Sequence, residues 1–383
     1  MPTVSHGLFR WLLWRGATLE NFADRLNHFW TFGLLLLLAC IISWNHNYNK
    51  PISCWAPVEF TKGMQQYADE ICWHKQFVYL PLDAELPSYA QTRLPMKRSL
   101  HMWLPIILCF QAFLFKLPNL LMYILHQYSG ISFDKLARLT SGFENMNMQE
   151  RIILSKQTSR YIYNWCKQFA NCLPWRLLTI LWLIVKVLYC INIIVQICLV
   201  NTFLASRDPL TGYSISYGKA ITRNIFSSDS SLWADSPAFP RLILCDFQIR
   251  KLRVVQRYTV QCNLNGNNFN ELVFMFLWVW FVFVAVATCL SLVVWTLRTI
   301  IPIFRKRYIK KVMELADDPN FTVIRPHDLD QFCNFIGEDG TMALKLIGAN
   351  SSELFVGDVV YNMWMLRSRG GNPQQALQPS API

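Results

Sequence analysis

The sequence predicts an all-α membrane protein: four transmembrane helices, a small disulfide-stapled α/β cap outside the cell and a helical layer in the cytosol. Three observations lead to this fold class. Hydrophobic residues make up 53% of the 383 residues and charged residues 16%, whereas soluble domains carry about a quarter charged residues. Four long apolar runs divide the chain, and four of its cysteines fall in the segments that follow the first and third runs.

Each apolar run is long enough to cross a bilayer. The first is free of charge from Leu26 to Asn49, and the fourth, Leu272 to Leu297, also holds no charge. The second and third hold one lysine each, Lys116 and Lys186. About 20 residues of helix span a hydrocarbon core of about 30 Å. The runs therefore predict four transmembrane helices.

The second span contains two prolines and a lysine. Pro118 removes one backbone donor and predicts a kink, and Pro105 predicts a second bend near the outer end of the same helix. Both kinks are gating candidates, although simple helix packing also explains them. We expect the Lys116 side chain to extend to the membrane surface, where its charge is hydrated.

The third span carries a polar stripe. Lys186, Tyr189, Asn192 and Gln196 fall within about 120° of arc on a helix. Polar side chains inside a membrane face protein or water. Membrane helix interfaces commonly hold polar side chains, so helix packing is the favoured interpretation and a pore lining is the alternative.

Basic residues near the spans predict the orientation. The segment Arg305–Lys311 follows the fourth run, and five of its seven residues are basic. Such clusters favour the cytosolic side, so we expect both termini in the cytosol. The segments after the first and third runs then face an oxidising compartment. Anionic inner-leaflet lipid is an expected partner of the basic segment, since each residue contributes about 1 kcal/mol of attraction.

The cysteine-containing segments predict a cap. The stretches LILCDFQIR and RYTVQCNL alternate apolar and polar residues as strands do, with Cys245 and Cys262 on the apolar faces. Cys54 and Cys72 lie in the other outer segment. Two cysteines per outer segment predict two disulfides, and four cysteines allow three connectivities. A metal site is disfavoured, because no C-x-x-C or H-x-x-x-H spacing appears and His74 beside Cys72 is a lone candidate ligand.

These observations divide the chain into ten predicted segments. They are a cytosolic N-terminal helix (1–28), the first span (29–44), the first extracellular loop (45–100), the second span (101–125), a cytosolic loop (126–176), the third span (177–200), the second extracellular loop (201–270), the fourth span (271–303), a cytosolic helical region (304–369) and a disordered tail (370–383).

Other function classes lack their signatures. The net charge of +12 is spread over every loop without a nucleic-acid-binding pattern. No nucleophile elbow, phosphate loop, metalloprotease motif or catalytic pair of carboxylates appears. We therefore expect neither nucleic-acid binding nor enzyme activity, and no cofactor.

Several stretches resemble the innexin family, the gap-junction proteins of invertebrates. The stretch Cys245–Phe281 resembles the family's second extracellular loop and fourth span. Four others resemble its pattern at the expected places: Ala23–Asn27, Pro51–Trp55, Lys186–Gln196 and Phe335–Ile347. The resemblance covers nearly the whole chain. One departure lies at the second span, where the family's Tyr-Tyr-Gln-Trp stands as Leu-His-Met-Trp at residues 100–103.

The resemblance implies a subunit of a large-pore channel in the plasma membrane at gap junctions. It also implies that Cys54 is bonded to Cys262 and Cys72 to Cys245. Rings of innexin subunits, octamers in the family, would dock with an apposed hemichannel on the neighbouring cell and pass ions and small molecules. Homomeric and heteromeric rings both remain open. The alternatives are an undocked hemichannel and a four-span adhesion or scaffold protein without a pore.

The N-terminal segment is a further pore or gating candidate. Phe9, Trp11, Trp14 and Arg15 belong to a predicted amphipathic helix. By resemblance to gap-junction channels, this helix folds into the cytosolic mouth and narrows it. The alternative is a helix that lies on the inner membrane surface.

Overall fold

The computed structural model describes residues 21–48, 52–74, 77–78, 97–98, 101–128, 146–172, 177–207, 214–226, 238–316 and 326–368. These residues belong to two compact units. One unit contains residues up to Arg25, Leu117–Cys190 and the chain from Ala287 onward, and the other contains Leu26–Lys116 and Ile191–Val286.

The described residues are mostly helical. The helices are α1 (Phe22–Tyr48), α2 (Lys62–His74), α3 (Leu104–Tyr128), α4 (Met148–Cys172), α5 (Leu177–Phe203), α6 (Tyr217–Phe226), α7 (Asn265–Ile300), α8 (Pro302–Glu314), α9 (Pro326–Asn350) and α10 (Glu353–Ser368). Four of them, α1, α3, α5 and α7, are long and apolar enough to cross a membrane. The predicted four-span fold class is confirmed.

Helices α1 and α7 extend beyond the charge-free runs of the sequence. Helix α1 begins at Phe22 and contains a π-helical stretch, Leu26–Thr31, across which the Thr31 hydroxyl donates to the Leu26 carbonyl at 2.7 Å. A 3₁₀ turn, His101–Trp103, precedes α3. A helix continues wherever its backbone hydrogen bonds are satisfied, so its length does not mark the edges of the bilayer.

Five strands form one antiparallel sheet in the unit that contains Leu26–Lys116. They are β1 (Ser53–Trp55), β2 (Phe77–Val78), β3 (Lys97–Arg98), β6 (Leu242–Lys251) and β7 (Val254–Asn263), in the order β1-β7-β6-β2-β3. A separate pair is formed by β4 (Ser206–Arg207) and β5 (Ser214–Ile215). We call the five-stranded sheet together with α2 the cap. The predicted period-two strands are thus present as the hairpin β6–β7, in which Cys245 pairs with Val260.

Helices α4, α8, α9 and α10 pack around one apolar core in the other unit, and we call them the helical layer. Their buried core includes Ile162, Ile309, Phe332 and Phe355. Helix α9 has a kink at Gly337, whose φ of 68° suits glycine. Helices α9 and α10 fall within the region, 304–369, for which the sequence predicts helices.

Candidate functional site: the cap and the buried charges of the spans

Two disulfides cross-link the cap. Cys54 of β1 lies directly opposite Cys262 of β7 in the strand register, and the two are bonded. Cys72 of α2 is bonded to Cys245 of β6, which fastens the helix to the sheet. The Asp69 side chain accepts a hydrogen bond from the Cys54 amide at 2.9 Å. The segment between α1 and α3 is therefore tied to the segment between α5 and α7 at two points.

The apolar sides of the cap elements form its small core. All four bonded cysteines are at most 1% exposed. Phe247 and Tyr258 face each other across the hairpin with ring centroids 5.9 Å apart, and the Phe60 ring meets Tyr258 edge-on at 5.1 Å. Cross-strand aromatic pairs of this kind stabilise a sheet. The cap is therefore a packed and cross-linked unit with its own core.

The end of the β6–β7 hairpin is exposed. Its turn residue Leu252 is fully exposed and has a φ of 49°, a left-handed conformation that is uncommon for a leucine. Val254 and Val255 are 64% and 51% exposed, and Arg250 and Arg253 are also exposed. We call these five residues the hairpin tip. The tip presents apolar surface beside positive charge.

A buried ion pair lies in the unit that contains the helical layer. Lys186 of α5 donates to both carboxylate oxygens of Asp24 of α1, at 2.7 and 2.5 Å. The Lys186 ammonium also lies over the rings of Trp182, 4.4 Å from the centroid, and Trp295, at 5.7 Å. Both charged side chains are at most 6% exposed. Each charge therefore neutralises the other where water is excluded.

The polar stripe of the third span is largely buried. Lys186, Tyr189 and Gln196 are at most 3% exposed, while Asn192 is partly exposed. Burial within one chain favours helix packing over contact with a conduit. Lys116 is also buried, at 2% exposure, with its ammonium 5.7 Å from the Phe32 ring centroid. Our expectation that Lys116 reaches the membrane surface is therefore wrong, because the surrounding chain encloses it.

A carboxylate of the helical layer caps the third span. Asp339 of α9 accepts hydrogen bonds from the amides of Leu178 and Thr179 at 3.0 and 2.9 Å, and from the Thr179 hydroxyl at 2.6 Å. The first amides of a helix lack partners within it, and a negative charge there is favourable. This contact anchors α9 to the first turn of α5.

The helical layer also holds two buried cysteines that are free thiols, Cys166 and Cys333. Burial, with Asp339 nearby, raises the pKa of the Cys166 thiol to about 12. Burial likewise raises the pKa of Cys333 to about 11. Because the thiolate is the reactive form, both cysteines act as small apolar core residues.

The sequence singles out two further sets of residues, the prolines of the second span and the N-terminal gating candidates, and the structure describes only the first set. Pro105 occupies the second position of α3, where a helix needs no donor, and Pro118 lies inside the same continuous helix. The kinks themselves stay predictions. Phe9, Trp11, Trp14 and Arg15 lie outside the described residues.

Sequence reasoning missed the Asp24–Lys186 pair and the Asp339 cap. A signal existed for the pair, since Lys186 is the one charge in its span and an intramembrane charge needs a partner. No local signal links Asp339 to Leu178, which is 161 residues away in the chain.

Neither the cap nor the buried charges present a reacting centre. The sulfurs of Cys54, Cys72 and Cys262 lie within 4.8 Å of one another, but all three belong to disulfides and offer no thiolate to a metal. The arrangement instead provides a disulfide-linked surface on a chain whose long apolar helices bury Lys116 and Lys186. Such a surface suits contact with another protein.

The comparison with family models and the comparison with individual proteins point to the same family. The innexin family model matches residues 20–366. The chain is 28% identical over 362 residues to innexin unc-9 of Caenorhabditis elegans, covering 90% of this chain and 91% of that protein. It is 27% identical over 380 residues to innexin-3 of the same species, covering 95% of this chain and 88% of that protein. A further similarity, 27% over 382 residues, is to innexin-19 of that species.

Proposed function

The chain belongs to the innexin family, whose members are gap-junction channel subunits and not enzymes, and we propose that rings of this chain dock with rings on neighbouring cells. A docked pair forms a continuous aqueous pore through which ions and small molecules pass from cytosol to cytosol. The observation that carries this proposal is the cap, a cross-linked outer surface on a chain with four membrane-spanning helices.

The hairpin tip is the proposed docking surface. A rigid cap loses little conformational entropy when it associates. Exposed Leu252, Val254 and Val255 offer apolar area to bury, and strained backbone such as that of Leu252 tends to occur at functional positions. The adjacent Arg250 and Arg253 would set the register with acidic groups on the apposed ring. Docking at this surface would explain why a solvent-exposed turn carries apolar residues.

We further propose that both termini are cytosolic. The basic segment Arg305–Lys311 supports this orientation. The contrast between cystines in the cap and buried thiols in the helical layer also supports it, because disulfides persist in oxidising compartments. The glycosylation sequons at Asn320 and Asn350 would then stay unmodified. Glycan on either asparagine would contradict this orientation.

Assembly with other innexin subunits follows from the family. We propose octameric rings by resemblance, built from this chain alone or with a second innexin. The N-terminal residues Phe9, Trp11, Trp14 and Arg15 are the proposed gating segment of the ring. The stripe of α5 is proposed to seal helix packing, and its burial supports that role.

Anionic inner-leaflet lipid is a proposed partner of the basic segment. Lys306 and Lys311 each have a carboxylate partner, Asp330 at 2.8 Å and Glu353 at 2.9 Å, and Lys310 lies 3.8 Å from Glu314. These three lysines are largely exposed, so their pairs are weak. Attraction to lipid headgroups competes readily with such surface pairs.

Three assays on cells that express the wild-type chain test the proposed function. A docked channel gives junctional conductance between paired cells and transfer of a small dye. An undocked hemichannel leaks dye into the medium with no transfer between cells. An adhesion protein clusters cells with neither dye movement nor current. Either of the last two results would contradict the docked channel if it persists after a second innexin is co-expressed.

A matched pair of substitutions tests the docking surface. Leu252→Asp places a charge on the hairpin tip, whereas Leu354→Asp places the same charge on an exposed leucine of α10 in the helical layer. We expect Leu252→Asp to abolish coupling at unchanged surface expression and Leu354→Asp to preserve it. Coupling that survives Leu252→Asp would place docking elsewhere on the cap.

A further inference from the structure

A small basic pocket lies beside the ends of two spans, at the start of α5 and in the last turns of α7. Its described lining includes the cations Arg298, Arg305 and Lys345 and the carboxylate Glu338. The cavity measures about 20 Å³ and is open to the surface. By volume it holds one or two water-sized groups, so a ligand would insert its terminal oxygens and keep the rest of its body outside.

The positive charges of the pocket are only partly compensated. Arg305 lies 3.8 Å from Glu338, and its Nε is buried without a hydrogen-bond partner among the described residues. Neither Lys345 nor Arg298 forms a salt bridge with a described carboxylate. Among the lining residues alone, three cations and one carboxylate leave a surplus of two positive charges; the Asp339 carboxylate, which is bonded to the lining residue Thr179, is not in this count. A phosphate monoester carries about −1.5 to −2 at neutral pH, which matches that surplus.

Lys345 is the pocket cation whose charge a bound anion would stabilise most. Its ammonium lies 5.4 Å from the ring centroid of Tyr308 and 5.8 Å from that of Trp295. Burial, and then the nearby Arg298, lower the pKa of Lys345 below its usual value. A bound dianion would reverse both effects, because it solvates the ammonium and screens it from the guanidinium.

The threonines of the pocket do not compete for this role. The Thr179 hydroxyl donates to Asp339, the Thr299 hydroxyl to the Trp295 carbonyl and the Thr341 hydroxyl to the Gly337 carbonyl. Their protons are already used within the protein. Recognition of an anion in the pocket therefore falls to the three cations.

We propose that this pocket binds the phosphate monoester of a ligand, carried either by a lipid headgroup or by a soluble molecule. Basic pockets among the cytosolic ends of membrane helices hold phosphorylated headgroups, and the aromatic rings of Trp295 and Tyr308 fit the interfacial zone. The lipid source rests on the proposed cytosolic placement of this end of the spans. Binding itself requires neither docking nor an open pore.

The alternative is that the basic segment Arg305–Lys311 attracts phosphate-bearing ligands without a specific site. Arg307 and Lys310 of that segment are exposed and do not line the pocket. If attraction is unselective, removal of these two charges weakens binding as much as removal of two pocket charges. If the pocket binds the ligand, only the pocket charges matter strongly.

Two variants with the same change in net charge separate these possibilities. Arg298→Gln/Lys345→Gln removes two pocket cations, and Arg307→Gln/Lys310→Gln removes two cations outside it. Full-length protein is placed in lipid nanodiscs. One arm adds phosphatidylinositol 4-phosphate to a phosphatidylcholine bilayer, and the other adds soluble inositol 1,4,5-trisphosphate to plain discs. Native mass spectrometry or fluorescence titration measures binding in both arms.

We expect saturable binding to wild type and a loss of roughly tenfold or more in the pocket variant, since each charge-assisted contact contributes about tenfold or more. The control variant should lose no more than about threefold, as screened surface charges do. Binding in the lipid arm alone assigns the ligand to a headgroup, and binding in both arms assigns it to phosphate monoesters in general. No saturable binding in either arm, or equal losses in both variants, would overturn the proposal.

Glu338→Gln keeps the proposal testable if the double variant fails to fold. This substitution removes the pocket's carboxylate and should tighten phosphate binding several-fold, because it raises the positive surplus. Unchanged or weaker binding would contradict the pocket. This experiment measures ligand binding and not coupling between cells, so its outcome is independent of the test of the proposed channel function.

Discussion

The cap and the helical layer are stabilised in different ways. The two disulfides of the cap join cysteines that are 208 and 173 positions apart in the chain, and the cap has a core of ten buried residues. The core around which the helical layer packs contains 21 buried residues, two of them from α5, and its buried cysteines, Cys166 and Cys333, are free thiols. A small core buries too little apolar area to stabilise a fold alone, so it relies on cross-links. A larger helical core buries enough apolar area to be stable without them.

This difference matches what the proposed orientation requires of the two regions. Cross-links are available to the cap only where the surroundings are oxidising, and the helical layer keeps its thiols protonated by burying them. The contrast therefore supports the proposed orientation, independently of the basic residues near the spans. It also predicts that the two regions fail under different perturbations.

Loss of both disulfides should have the largest effect. Cys54→Ser/Cys72→Ser removes two cross-links worth about 2 to 4 kcal/mol each, so we expect the cap to become protease-sensitive under nonreducing conditions. The matched variant Cys166→Ala/Cys333→Ala deletes two buried sulfurs of the helical layer and should cost about 1 to 2 kcal/mol in all. Limited proteolysis of purified protein measures both. A cap as resistant as wild type in the double serine variant would refute the comparison.

Removal of one member of the buried ion pair should come next. Lys186→Met leaves Asp24 charged and buried, and breaking such a pair costs about 3 to 5 kcal/mol. Asp24→Asn/Lys186→Met should recover much of that loss, since neither position then carries a charge. Thermal unfolding of the single and double variants gives the coupling energy. Equal stability of Lys186→Met and wild type would show that the pair does not hold α1 to α5.

Loss of the carboxylate cap on α5 should have a moderate effect. Asp339→Asn removes the negative charge beside the first amides of the helix and should cost about 1 to 2 kcal/mol. Asp358→Asn, on α10, is the control. Partial burial raises the pKa of the Asp358 carboxyl above its usual value, so folding disfavours its charged form. In wild type that contribution to stability is present at low pH and is lost as pH rises through the raised pKa.

Asp358→Asn should therefore be neutral or slightly stabilising at pH 7, where Asp339→Asn is destabilising. Thermal unfolding at pH 7 compares the two variants. A larger loss in Asp358→Asn than in Asp339→Asn would contradict the assignment of the helix cap to Asp339.

Removal of the pocket lysine should have the smallest effect and the opposite sign. The pKa of Lys345 is lowered in the folded protein, so its charged form opposes folding at pH 7, and stability is gained as pH rises through the lowered pKa. Lys345→Met should raise stability by a few tenths of a kcal/mol in phosphate-free buffer, since the ammonium is partly solvated. Thermal unfolding without ligand measures this. Clear destabilisation would mean that the cation–aromatic contacts outweigh the burial of charge.

Much of the architecture can be predicted from the sequence. Long apolar runs, each with at most one charged residue, give the four long helices, because a bilayer demands about 20 apolar residues. Alternation around Cys245 and Cys262 gives the hairpin β6–β7, because side chains alternate between faces of a strand. Both signals are local, and they hold without knowledge of the rest of the chain.

The remaining features depend on contacts that are distant in the sequence. Spacing leaves three possible connectivities for the four outer cysteines, and the family resemblance alone implied one of them. Lys186 needs a partner, but the sequence does not say that the partner is Asp24. Lys116 is enclosed rather than extended, which depends on how neighbouring helices pack. The basic pocket likewise combines residues of α5, α7, α8 and α9 that no local pattern connects.

Junctional conductance between paired cells tests the central claim most directly, namely that this chain forms docked channels through a disulfide-locked cap. Pairs expressing wild type are compared with pairs expressing Cys54→Ser, Cys245→Ser or the thiol control Cys166→Ala/Cys333→Ala, all matched for surface expression. We predict coupling in wild type and in the thiol control, and none in either cap variant. Coupling that persists in both cap variants, or that is absent from wild-type pairs even after a second innexin is added, would contradict the account.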